Sequence, residues 1–310
     1  MNVTSKFPAR PSSNRTGRPF QRTVRPYAVT LLLFTSALPL AAQESAASHY
    51  EKGAAYFQGG RIDDAIQEFE AATRLAPSDP RPWKGLGVVQ ASQGRFSRAQ
   101  EPFRKACDLE PRDTDACYYF GNVSHGLGRY GDAIQGYEKA LRAGSQDARV
   151  YRGLGLAFEA LGRNEDAERE LRRALEHDGG DSISSLDPRV ELGAFLFRQG
   201  RLEEAQQVLE AAVKARPDSA RGFFELARVL VQADRLDDAA ARLQEAKRLD
   251  PNSAATRLLL GKVYFRLGRI EEGRRETEIG RKLSTAADQA RVRAQQAVLP
   301  DPRPATEQKP

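Results

Sequence analysis

The sequence predicts an all-α solenoid of about seven helix–turn–helix units followed by a C-terminal capping helix. Three observations predict it. Seven arginines stand in register, Arg61, Arg95, Arg129, Arg163, Arg201, Arg235 and Arg269, 34 residues apart at every step except the 38 between Arg163 and Arg201. Six of them follow a glycine, and Asp234 precedes the other. Small and bulky residues recur in the same register, at spacings that share one face of a helix. A constant period of this length marks stacked supersecondary units, each burying its apolar face only against its neighbours.

With the arginine taken as position 16, the units begin at 46, 80, 114, 148, 186, 220 and 254. The first helix of each carries a small residue at position 8: Gly53, Gly87, Gly121, Gly155, Gly193, Ala227 and Gly261. The glycine before the arginine ends that helix in a left-handed conformation that costs a glycine nothing sterically. The second helix opens with paired acids, as in Asp63-Asp64, Glu165-Asp166, Glu203-Glu204, Asp237-Asp238 and Glu271-Glu272. Acids in a first turn offset the positive end of the helix dipole. Alanines at positions 20 and 27 flank a bulky residue at 24, as in Ala99, Phe103 and Ala106. Small residues let two helix axes approach, and the bulky one fills the groove between them. Pro77, Pro111, Pro217 and Pro251 stop second helices at position 32.

This register divides the chain. Residues 46–181 hold units one to four, 182–185 are an insertion, and 186–287 hold units five to seven. The insertion reads either as a hinge between two blocks or as a longer surface loop, which adds little closure entropy. The seventh unit loses its position-24 bulk to Thr277 and gains Arg274, Arg275, Glu276 and Glu278, as a polar terminal cap requires. Thr285 with Asp288 reads as a capping box opening one more helix, and the proline-rich tail to Pro310 reads as disordered.

The formal charge of +6 is confined to one segment. Residues 1–42 contain Lys6, Arg10, Arg15, Arg18, Arg22 and Arg25 and no acid, and the rest has 42 basic and 42 acidic residues. A neutral repeat region lacks the footprint of phosphate-backbone binding, so no nucleic-acid partner is expected. The basic stretch, the apolar run 27–40 and small Ala41-Ala42 together read as a signal peptide. That run is shorter than the roughly 20 residues of a membrane-spanning helix. The expectation is therefore an exported chain, periplasmic or secreted, with no stable membrane span after cleavage. In an oxidising compartment Cys107 and Cys117, the only cysteines, are either bridged or two small buried thiols.

The pattern resembles the tetratricopeptide repeat, W-x2-L-G-x2-Y, then A-x3-F, then P. The second unit matches best, with Trp83, Leu86, Gly87, Ala99, Phe103, Ala106 and Pro111, and Gln90 where the pattern has Tyr. The resemblance covers 46–287. It implies a right-handed superhelix whose first helices line a concave groove, with positions 2, 5, 9, 12 and 13 facing a bound polypeptide. Carried over residue by residue, those positions give the candidate groove residues Tyr50, Lys84, Tyr118, Asn122, His125, Arg149, Arg152, Phe197, Phe224 and Arg228. Val190 and Ala194 fall on the same positions. Of the carboxylate clamp that some family members use, only Lys84 and Arg149 match; Val88, Tyr119 and Gly153 depart from it, so a clamp is not expected.

No catalytic constellation appears, and an enzyme is not expected. His49, His125 and His177 have no metal-ligand spacing, so neither metal nor cofactor is expected. Gly153-Leu-Gly155 matches part of a nucleotide loop but falls inside a helix with no preceding strand. The expected function is a non-enzymatic scaffold binding a protein or peptide, in envelope assembly or secretion. The alternative is a structural protein that binds a carbohydrate or envelope polymer, with Tyr118, Phe197 and Phe224 as stacking platforms.

Overall fold

A computed structural model describes residues 45–179 and 187–298. These form fourteen helices and no strand. They pair as α1 (Ala46–Gln58) with α2 (Ile62–Leu75), α3 (Pro80–Ser92) with α4 (Phe96–Leu109), α5 (Thr114–Gly126) with α6 (Tyr130–Arg142) and α7 (Ala148–Ala160) with α8 (Asn164–Glu176). After the undescribed residues 180–186 follow α9 (Pro188–Arg198) with α10 (Leu202–Ala215), α11 (Ala220–Gln232) with α12 (Leu236–Leu249) and α13 (Ala254–Arg266) with α14 (Ile270–Val298). Each helix packs on its partner and on the helix that follows. The first helices α1 and α3, α5 and α7, α7 and α9, and α9 and α11 also touch one another, which puts them on the inner side of the stack.

Caps and turns fix these boundaries. The residue before each first helix is Ser45, Asp79, Asp113, Asp147, Asp187, Ser219 or Ser253, and its side chain accepts a free N–H of the first turn. The turn glycines have φ between 67° and 77° at positions 60, 94, 128, 162, 200 and 268. Each turn arginine then donates its N–H to the carbonyl five residues back, as Arg61 does to Tyr56 at 2.8 Å and Arg163 to Phe158 at 2.9 Å. Asp234 takes the glycine's place at φ 58°. Unit five starts two residues late, at Pro188, because proline is well suited to a first helical position and Asp187 caps it.

The core follows the register. The position-20 alanines from Ala65 to Ala239 are fully buried, and the position-24 residues Phe69, Phe103, Tyr137, Leu171, Leu209 and Leu243 are at most 3 % exposed. Tyr137 lies over two glycines: a Cβ at Gly121 would stand 2.7 Å from its ring, and one at Gly153 would stand 2.5 Å from it. One buried cluster runs from Ala106 to Tyr264, so the described units on either side of 180–186 share a continuous core. Cys107 and Cys117, both at most 1 % exposed, are bridged, with Cα atoms 4.8 Å apart; the bond ties α4 to α5.

One expectation is corrected. The separate capping helix does not form, because α14 runs unbroken from the seventh unit to Val298. Thr285 does not cap: its hydroxyl donates to the Arg281 carbonyl at 3.0 Å, inside the helix. No glycine or proline interrupts residues 281–299, so nothing stops the helix there. The expected signal peptide, insertion and tail lie outside the described residues.

Candidate protein-binding groove

The inner row of first helices places the candidate residues along one face. At the N-terminal end, Tyr50 packs on Phe69 with ring centroids 5.8 Å apart, and the Arg81 guanidinium lies 5.4 Å over its ring. Lys84 reaches to the next unit, 2.8 Å from Asp113 and 3.9 Å from Asp115. Tyr50, Phe57, Lys84 and Val88 help line a cleft of about 450 Å³.

The central stretch is denser. Tyr118 is half-buried against Tyr119 and Tyr137, with centroids 5.6 and 6.0 Å away, and burial pushes its phenol pKa up. The Arg149 guanidinium sits 5.0 Å over that ring and is held from behind by Asp147 at 2.5 Å. Aromatic faces attract guanidinium in this way. His125 meets Tyr130 edge-on at 5.4 Å. Burial, then the charge of Arg152, lowers its pKa and keeps the ring neutral at pH 7. Asn122 stands exposed beside them.

Arg152 is anchored differently. Its Nη1 donates to Glu191 at 3.2 Å, and Arg221 donates to the same carboxylate from the other side at 2.8 Å. The Glu191 side chain is 4 % exposed. Burial works to raise its pKa, but the hydrogen bonds and charge of Arg221, and then Arg152, outweigh burial and leave it below its ordinary value. Farther along, the Arg228 guanidinium lies 4.7 Å over Phe197 and pairs with Glu225 at 2.7 Å, while Phe224 stays half-buried.

Tyr118, His125, Arg149 and Arg152 thus share one neighbourhood, and Phe197 and Arg228 form a second. Val190 and Ala194, at 2 % and 0 % exposed, belong to the core of unit five and not to the groove. Sequence reasoning missed the acids behind the arginines, above all Glu191. Its signal was a charge at position 6 of a helix that is otherwise apolar there, repeated at Glu225 between Phe224 and Leu226. Aromatic faces under guanidiniums that neighbouring carboxylates orient are an arrangement suited to polar chains. Among the described residues no cluster of potential metal ligands occurs, and no helix is long and apolar enough to cross a membrane.

The family model described as the Cilia and flagella-associated protein 70 C-terminal domain matches residues 28–214, and two models described as Tetratricopeptide repeat match 192–254 and 230–299. No curated protein sequence matches the chain. Among solved structures it is similar to a tetratricopeptide repeat protein from Parabacteroides merdae, at 17 % identity and a TM-score of 0.63, covering 78 % of this chain and 94 % of that one. It is also similar to PilF of Pseudomonas aeruginosa, at 20 % identity and a TM-score of 0.54, covering 70 % and 97 %. MamA is similar at 19 % identity and a TM-score of 0.51, covering 57 % and 94 %. These likenesses show the fold.

Proposed function

This chain belongs to the tetratricopeptide repeat family, and we propose that it is an exported, non-enzymatic scaffold that holds a partner polypeptide in its inner groove. The observation that carries this reading is the central row, in which Tyr118 offers a half-buried aromatic face under Arg149, beside exposed Asn122. Large aromatic and arginine side chains held rigid at a surface are the types that dominate protein interfaces. Arg149 is already oriented by Asp147, so less side-chain entropy is lost on binding. Export rests on the basic and apolar segment ahead of Gln43, and a role in envelope assembly or secretion follows from that destination.

The test is photo-crosslinking in the producing cells with a reactive group at position 118. A single attached polypeptide is the expected product, and the same group at Glu138 in α6 should give none. The pair Tyr118→Ala and Arg149→Ala should reduce capture at least about tenfold with helicity unchanged. Arg152 is left intact because Glu191 depends on it. Undiminished capture by the double variant sinks the groove reading, and attachment of an envelope polymer in place of protein would establish the alternative. A mass beginning at Gln43 in the exported chain checks the signal.

A further inference from the structure

The seven turn arginines differ in their partners. Three residues after each, six units place an acid, Asp64, Asp132, Asp166, Glu204, Asp238 or Glu272, whereas the second unit places Arg98. In five units that acid closes on its own arginine: Arg61 with Asp64 at 2.7 Å, Arg163 with Asp166, Arg201 with Glu204 and Arg235 with Asp238 at 2.6 Å, and Arg269 with Glu272 at 2.5 Å. In the third unit Arg129 turns to Gln100, which also donates to Asp132. Among the described residues, the side chains of Arg95 and Arg98 make no ion pair and no hydrogen bond.

Both arginines line a cleft of about 720 Å³ formed by α2, α3 and α4, on the side of the second helices. Its floor holds Gln90, 6 % exposed, whose Oε1 is buried without a hydrogen-bond partner. The Gln90 carbonyl accepts the Arg95 N–H at 3.0 Å, so the lone acceptor and the free guanidinium are set by one turn. Of the acids around the cleft, Glu101 pairs with Arg104 at 2.7 Å and Glu70 lies 4.0 Å from Arg74, while Asp63 on the α2 wall is exposed to solvent. A buried acceptor left unpaired is costly, and natural structures rarely leave one so.

We propose that this cleft docks an acidic segment of a partner polypeptide. Its side-chain carboxylate takes the place, against Arg95 and Arg98, of the acid that the other units carry in their own chain. A main-chain N–H of that segment satisfies Gln90 Oε1. A simple anion answers the guanidiniums alone, whereas an acidic peptide brings carboxylate and N–H together, and Arg–carboxylate pairing is among the strongest polar contacts available. The cleft is formed with α2 and α4, away from Tyr118, so this site and the inner groove stand or fall separately.

The test is an amide-shift titration of the full chain with acetyl-Ala-Glu-Ala amide and its neutral twin acetyl-Ala-Gln-Ala amide. The acidic peptide should shift the Arg95, Ser97 and Arg98 amides and the Gln90 side-chain amide saturably, and the twin should bind at least about tenfold more weakly. Arg98→Asp restores the acid of the sister units and should abolish binding without lowering the melting temperature. Gln90→Leu, the residue found at this position as Leu196 and Leu230, should fold and weaken binding several-fold. Equal binding by either variant, equal binding of inorganic phosphate, or no saturation below about 10 mM would overturn the proposal.

Discussion

Single residues in this chain are legible because each unit repeats the same question. Asp234 answers it worst: at φ 58° it pays a backbone cost that the six glycines avoid, and its exposed pair with Arg266 returns little. Asp234→Gly should raise stability by up to about 1 kcal/mol, read as a higher midpoint in urea. Gly136 is the opposite case. A Cβ there would stand 2.6 Å from the Gly121 backbone nitrogen and 2.9 Å from the Cys117 carbonyl, so α5 and α6 would have to part. Gly136→Ala should cost about 2–3 kcal/mol in thermal unfolding, whereas Gly131→Ala, with nothing within 4 Å, should cost nothing or stabilise slightly. The glycine–arginine spacing announced the turns; it did not announce Gly136, whose reason is a neighbour 15 residues away.

At the scale of elements, register predicted all fourteen helix starts to within two residues, because capping and turn chemistry act locally. The fourteenth helix exceeded its expected end because no glycine or proline stops it, and the Thr285 hydroxyl, turned to the Arg281 carbonyl, does not act as a cap. The bridge between α4 and α5 was left open by spacing alone; it forms because both thiols are buried side by side where two units meet. Closing so short a loop should contribute roughly 2–3 kcal/mol. Replacing both cysteines with alanine should lower the denaturant midpoint accordingly, with the slope little changed. A loss confined to one partial transition covering the first two units would show that these units unfold apart from the rest.

The whole molecule is held by contacts between units, and the charged ones concentrate at the junction that the insertion interrupts. Arg152, Glu191 and Arg221 come from three successive units, and the two arginines meet at the buried Glu191 carboxylate. Glu191→Ala strands Arg152 in a nearly closed site and should cost about 3 kcal/mol by calorimetry. The lowered Glu191 pKa means its stabilising contribution is present above the ordinary carboxylate range and is lost as pH falls below it. His125 acts likewise at higher pH: its pKa is depressed in the folded chain, so the stability tied to its neutral form is lost as pH falls below the ordinary histidine value, near 6.5. His125→Gln should flatten the stability profile between about pH 7 and 5. By itself, the sequence determined the period, the turns, the caps and the alternation of small and bulky core residues, because each of these is a relation within about one unit of chain. Only the tertiary structure decided that Arg152 and Arg221 are held by Glu191, and that Gln90 Oε1 is buried without a partner in the cleft beside Arg95 and Arg98. Those facts depend on stacking: Glu191 meets arginines 39 and 30 residues away, and Gln90 is enclosed by residues of α2 and α4.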